Sequence, residues 1–204
     1  MLENKYTCSA IYPQEYEKWF DRFYVFMEEF IKTCPPSHRR NYEVENWKSS
    51  NSSFLKNVYV DRRYDSGFIN VAQCANKIIG ISACHEYKSD VIYLGSRTSI
   101  LPGYEADHLG SSLLIPMQQQ AFKENYKFGI ITFNRDQYSR RLMLSLAKRD
   151  KWTSSKVLRL TGLEYCPFTF ITDRTFNIFN CEQYVAFCSL TLLASKEEFM
   201  STLG

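Results

Sequence analysis

Residues 91–134 read VIYLGSRTSILPGYEADHLGSSLLIPMQQQAFKENYKFGIITFN. Val91 to Leu101 is apolar or β-branched at most positions and stops at Pro102-Gly103, which predicts a strand and a break. From about Gly110 to Asn125, Leu113, Leu114, Met117, Ala121 and Phe122 recur at helical spacing. Pro116 lies inside that helix, and without an N–H it should bend the helix or weaken its first turns. Lys127 to Phe133 is a short apolar strand. Asn134 opens a second helical pattern, about Arg135 to Arg149, with Tyr138, Leu142, Leu146 and Arg149 in phase. Strand, helix and strand in this order form a β-α-β unit, whose strands should be parallel and joined right-handedly.

Upstream, Phe20, Phe23, Tyr24, Met27, Phe30 and Ile31 fall at i, i+3, i+4, i+7, i+10 and i+11, one face of a helix over about Pro13–Thr33. Cys34-Pro35-Pro36 ends it. Residues 37–57 are polar and irregular, a loop with one short helix. Gly67–Cys74 and Lys77–Tyr87 flank Ala75-Asn76 as a hairpin, and Lys88-Ser89-Asp90 links them to Val91–Leu101, giving an antiparallel meander. Downstream, Val157–Leu160, Phe168–Thr172 and Tyr184–Leu193 are strand-like, and Ser195-Lys196-Glu197-Glu198 has the pattern of a capping box. The expected fold is one α+β (mixed α/β) domain over residues 1–204. It has a central mixed, mostly antiparallel sheet with one parallel β-α-β pair and flanking helices.

Composition excludes several function classes. With 204 residues, 45% hydrophobic and 23% charged, the chain is long and apolar enough for a real core. Lys+Arg 25 against Asp+Glu 22 leaves +3, too little to argue for a nucleic-acid or membrane-surface partner. The seven cysteines are scattered with no CxxC pair, which argues against a zinc ribbon, a redox pair or any metal site. Free thiols and the lack of a signal-peptide pattern in MLENKYTCSAIYPQEYEKWF point to a reducing, cytoplasmic setting. The apolar stretch Val185–Ala194 is too short for a membrane span.

Function concentrates in residues 100–114. A strand-loop-helix junction aims unpaired backbone N–H groups and the positive end of the helix dipole at one point, which suits a phosphate or pyrophosphate. Gly110 and the small Ser111 and Ser112 permit close approach. The same residues also fit a plain β–α turn whose amides are satisfied by Asp107 or water.

Pro102, Leu109, Gly110, Leu113 and Leu114 match, without a gap, the Pro-x-x-Arg/Gln-Arg/Gly-x-Gly-aliphatic-Gly/Ala-x-x-Leu-Leu motif of the GNAT superfamily of acyl-CoA-dependent N-acetyltransferases. The chain resembles that family in element order over about Gly67–Arg149, and Asn134 stands where the family has Asn after its fifth strand. It departs at Glu105, Ala106 and His108, where the family has Arg or Gln, a small or basic residue, and Gly, so its pyrophosphate loop is degenerate.

The resemblance implies acetyl-CoA, or another acyl-CoA, as co-substrate and no metal, with the acyl-CoA-binding half at about 91–150. The N-terminal helix and the C-terminal strands would form the acceptor side. The backbone of Ile100 and Leu101 would pair with the pantetheine arm like an added strand. The N–H groups of Ala106, Asp107, His108, Leu109, Gly110 and Ser111, with Ser112 beside them, would hold the pyrophosphate. Asn134 would contact the arm. Tyr138 is the nearest candidate for the acid that protonates the departing thiolate, although it lies earlier in its helix than the family's Tyr. His85 and Glu86, at a strand end, are the candidates for the base. A surface histidine and a packed aromatic are the plainer readings of His85 and Tyr138.

The implied activity is transfer of acetyl from acetyl-CoA to a primary amine, on a small molecule or a peptide, by direct attack in a ternary complex. Two alternatives stay open. One is the same scaffold with another donor, aminoacyl-tRNA or an acyl carrier. The other is a non-catalytic binding module that uses the basic helix 135–151, with nucleic acid a less favoured partner. No nucleophile elbow such as GxSxG is present, and Cys84 and His85 are strand neighbours on opposite faces, so no nucleophilic dyad forms.

Overall fold

A computed structural model describes residues 6–33, 53–104, 109–133, 170–171, 176–178, 181–190 and 196–203. These fall into two compact units, Met1–His85 with Arg97–Leu114, and Glu86–Ser96 with Ile115–Gly204.

In the first unit, β1 (Thr7–Ile11) runs antiparallel to β2 (Phe68–Cys74), and β2 antiparallel to β3 (Lys77–Lys88). Asn70 stands between Ala10 and Ser82. The register slips after Ala72, which faces Gly80 while Gln73 faces Ile78. Ile79 is thus the extra residue of a β-bulge. Period-two alternation sends Ile69, Val71, Ile81 and Ala83 to one face. There they meet Phe23, Phe26, Met27 and Phe30 of α1 (Tyr16–Thr33) and Phe54, Leu55 and Val58 of α2 (Ser53–Tyr59). The α1 stripe is the one the sequence periodicity marks, with Phe20 half-buried at its border rather than inside. Phe23 and Phe54 meet edge-on at 5.5 Å and 88°, a favoured aromatic geometry. Two phenols brace this layer: Tyr16 Oη donates to the Tyr64 carbonyl (3.1 Å), and Tyr59 Oη to the Tyr16 carbonyl (2.7 Å).

The opposite face of β2 and β3 carries Asn70, Ala72 and Gly80, and takes the start of α3 (Leu109–Lys123) through Leu109 and Leu113. A Cβ on Gly80 would stand 3.2 Å from the tips of both leucines, so glycine sets how closely the helix seats. The helix α3 runs from Leu109 to Lys123 with Pro116 inside it. A proline removes the N–H that would bond the Ser112 carbonyl and so weakens the turn before it. Asn70 Nδ2, buried, donates to the Leu113 carbonyl at 2.8 Å.

In the second unit, the first part of β4 (Val91–Ile100) pairs parallel with β5 (Phe128–Phe133), Val91 opposite Phe128 and Tyr93 opposite Ile130. β5 is antiparallel to β8 (Cys181–Ser189), which also pairs with β6 (Phe170–Ile171) and β7 (Phe176–Ile178). Val91, Tyr93, Phe128, Ile130, Phe176 and Val185 form its core with Phe199 and Leu203 of α4 (Lys196–Leu203). The Asp90 carbonyl accepts from the N–H groups of both Lys127 and Phe128, at 2.8 and 3.0 Å, which ties the β3–β4 turn to the start of β5. The strand order is β1-β2-β3-β4-β5-β8-β6, with β7 on β8: a mixed, mostly antiparallel sheet with one parallel pair and flanking helices, as expected.

The sequence reading omits β1 and β7. The expected helix at 135–149, the expected strand at 157–160 and the Ser195 cap lie outside the described residues.

Candidate functional site

The β4–β5 pairing stops at Tyr93 and Ile130, although β4 continues to Ile100 and β5 stays paired with β8 as far as Phe133. A hydrogen bond between Tyr93 Oη and Thr132 Oγ1 marks the end of that contact. Two residues further, Gly95 has φ +60, a left-handed conformation that glycine adopts without strain inside a strand. A residue of this kind locally breaks the pleat and re-aims the rest of its strand. Beyond it, Ser82 Oγ lies 2.8 Å from Thr98 Oγ1, and the Leu101 N–H donates to the Ile79 carbonyl at 2.9 Å. These contacts set 82 opposite 98 and 79 opposite 101.

Strand geometry then separates Ile100 from Leu101, which the sequence reading joins. The Leu101 N–H is used by β3, and its carbonyl accepts from the Tyr104 N–H at 3.2 Å. Leu101 itself is buried in the first unit's core. Main-chain groups of successive strand residues point to opposite sides, so those of Ile100 face away from β3. Leu101-Pro102-Gly103-Tyr104 closes a turn with proline second and glycine, φ +91, third, the pattern of a type II turn.

The start of α3 is held from several directions. Leu109 and Leu113 seat on Gly80, Tyr6 Oη meets Ser112 Oγ at 2.9 Å, and Asn70 grips the Leu113 carbonyl. The first-turn amides, those of Leu109, Gly110 and Ser111, therefore belong to an anchored 15-residue helix. Such an end presents N–H groups and partial positive charge together. Glu105, Ala106, Asp107, His108, Asn134 and Tyr138 lie outside the described residues.

His85 and Glu86 are not brought together. His85 is only 3% exposed, where the plainer reading of the sequence puts it on the surface. It shares the parity of Ile81 and Ala83, so its ring turns toward the α1–α2 layer, 5.9 Å from the Tyr64 ring. Glu86 is exposed on the other face, with Tyr126 Oη donating to it at 3.4 Å.

The register at Thr98 and Leu101 adds residues that the sequence reading passes over. Ser99 faces Ile81 and Arg97 faces Ala83, so both join His85 and Tyr64 on the α1–α2 face. Ser99 is 2% exposed and Tyr64 fully buried, and neither Ser99 Oγ nor Tyr64 Oη has a hydrogen-bond partner among the described residues. The signal was present in Ser96-Arg97-Thr98-Ser99, a polar run inside a strand, but without the contacts of Thr98 and Leu101 with β3 its facing could not be assigned. On the same side, burial pushes the Tyr16 phenol well above its ordinary value, with smaller contributions from Cys84 and Asp65.

Among the described residues, no group of three or more His, Cys, Asp or Glu side chains could hold a metal ion, and no helix is long and apolar enough to cross a membrane. No family model and no curated protein matches the sequence. Solved structures do match its fold. A GNAT-family acetyltransferase from Staphylococcus aureus Mu50 is similar with a TM-score of 0.55 at 13% identity, over 91% of this chain and 99% of that one. A protein from Salmonella typhimurium, solved with its cofactor acetyl-CoA, gives 0.53 at 12% identity, over 93% and 96%. The chain has the GNAT fold.

Proposed function

We propose, from this fold and from the strand β4 that outruns its parallel partner, that the protein is an N-acyltransferase. It would move acetyl from acetyl-CoA to a primary amine by direct attack in a ternary complex. The observation that carries the reading is the junction itself. β4 leaves β5 after Tyr93 and carries the left-handed Gly95, and the Leu101–Tyr104 turn leads to an α3 held at its start by Gly80, Tyr6 and Asn70.

The residues present fit the co-substrate. The backbone of Ile100 faces away from β3, suited to bonding the amide groups of a pantetheine arm. The amides of 109–111 at the helix end suit a pyrophosphate, and the proposal extends this contact to the amides of 106–108 and to Ser112, with Asn134 as the arm's second contact. In the reaction the amine nitrogen forms a bond to the thioester carbonyl carbon and the C–S bond breaks. The amine's proton passes to a base, and the departing thiolate takes one from an acid. His85 is the better of the two base candidates, because it lies on the face that carries Ser99, next to Ile100, whereas Glu86 projects into solvent from the other face. Tyr138 is the proposed acid. The setting is proposed to be cytoplasmic.

Calorimetric titration with acetyl-CoA and with CoA tests the reading. Micromolar binding of both supports it, and no heat at millimolar ligand sinks it. His85→Gln should then lower kcat about 100-fold, the size of a lost general base, while the affinity for acetyl-CoA stays unchanged.

A further inference from the structure

The strand β1 adds little to the core, since only Ile11 of Thr7–Ile11 is buried. What it delivers stands one residue before it. β1 pairs with β2 so that Thr7 faces Gln73, and continuing that register sets Tyr6 beside Cys74. Both side chains pack, half-buried, against the cluster of Ala72, Ile79, Leu109 and Leu113. From there Tyr6 reaches α3, with its Oη 2.9 Å from Ser112 Oγ. Ser112 belongs to the opening turns of that helix, which begins at Leu109. The whole contact lies within the first unit.

The chemistry of the pair gives it a direction. Each hydroxyl has one proton to donate and lone pairs to accept with. Of a phenol and an aliphatic alcohol, the phenol is the more acidic and so the better donor. Tyr6 therefore donates and Ser112 accepts, which leaves the Ser112 proton for a further acceptor. Accepting one bond also polarises the O–H of Ser112 and strengthens the bond it donates in turn. This hydroxyl sits near a helix end where N–H groups and partial positive charge gather. An acceptor-only anion is the partner that such a set of donors suits.

We propose that Tyr6 is a positioning residue for the acyl donor: it holds Ser112 Oγ as an acceptor, so that the Ser112 proton is kept for a pyrophosphate oxygen of acetyl-CoA. The proposal rests on the acyl-transfer reading and gives the segment before β1 a part in binding the donor.

The test is a double-mutant cycle read by calorimetry with CoA, on wild type, Tyr6→Phe, Ser112→Ala and the double variant. Phenylalanine keeps the ring on its cluster and removes only the hydroxyl. It should weaken CoA binding about fivefold, the size of one lost hydrogen bond. Ser112→Ala removes the bond to the anion itself and should weaken binding roughly tenfold or more. The double variant should bind within about twofold of Ser112→Ala, because Tyr6 acts only through that hydroxyl. A merely structural role would lower the Tm of Tyr6→Phe with CoA affinity unchanged, or its weakening would multiply with that of Ser112→Ala. Either result overturns the proposal and leaves acyl transfer intact. If the wild type binds no CoA, acyl transfer falls, and titration of the same proteins with inorganic pyrophosphate decides the pair. The same non-additive weakening supports it, and no binding, or binding that Tyr6→Phe does not change, refutes it.

Discussion

Replacing Asn70 by alanine should cost the protein about 1.5–2.5 kcal/mol, and part of that cost should depend on Pro116. Asn70 is 1% exposed, and its Nδ2 stands 2.8 Å from the Leu113 carbonyl in a buried contact. Alanine removes this second donor from a carbonyl that keeps its place in the helix ladder, at about 0.5–1.5 kcal/mol for a lost buried hydrogen bond, plus roughly 1 kcal/mol for the missing side-chain volume. A proline at 116 supplies no N–H to the Ser112 carbonyl and crowds the turn holding 112 and 113. Asn70 thus compensates where the helix is weakest. The assay is urea unfolding followed by far-UV circular dichroism on wild type, Asn70→Ala, Pro116→Ala and the double variant. If the compensation is real, Asn70→Ala costs at least about 1 kcal/mol less when residue 116 is alanine, a coupling well above the additivity error. Equal costs in the two backgrounds would refute the reasoning, as would a wild-type cost under about 0.5 kcal/mol. The same side chain steadies the end of α3 proposed to hold the pyrophosphate, so Asn70→Ala should also weaken acetyl-CoA binding.

Gly80→Ala should push the start of α3 away from the sheet, since its Cβ would lie 3.2 Å from Leu109 and Leu113. A loss of about 1–3 kcal/mol from overpacking, with weaker acetyl-CoA binding by calorimetry, is the expected result. Gly67→Ala is a harsher steric test, with a Cβ 2.1 Å from the Cys84 carbonyl oxygen and 2.9 Å from the His85 Cα; soluble yield and Tm should both fall. Alkaline titration reads the buried phenols. Burial raises the Tyr16 and Tyr59 pKa values above the ordinary 10.0, so above pH 10 the unfolded chain loses these protons before the folded one does. Stability from this source is therefore complete below pH 10 and falls as pH rises beyond it, and Tyr16→Phe should flatten that fall in Tm against pH.

What the sequence discloses and what it conceals divide along physical lines. α1 is legible because all six of its periodic apolar residues are buried or half-buried on one stripe, and the β2–β3 hairpin because Ala75, at φ +52, and Asn76 close it in two residues. β1 is not, because a five-residue edge strand with three exposed residues buries only Ile11 and leaves little hydrophobic alternation. Pattern also fixes the place of the candidate site, since Pro102, Gly103 and Gly110 punctuate the β4–α3 junction.

Pattern does not fix which side chain faces which partner, and here one residue decides. In an unbroken strand, parity alone would order residues 91–101. Gly95 at φ +60 interrupts that order, and only the contacts of Thr98 with Ser82 and of Leu101 with Ile79 restore it. Because of them, Ile100 rather than Leu101 offers its backbone away from β3, and Ser99 and Arg97 join His85. A single glycine thus decides how a polar run inside a strand, Ser96-Arg97-Thr98-Ser99, faces its neighbours.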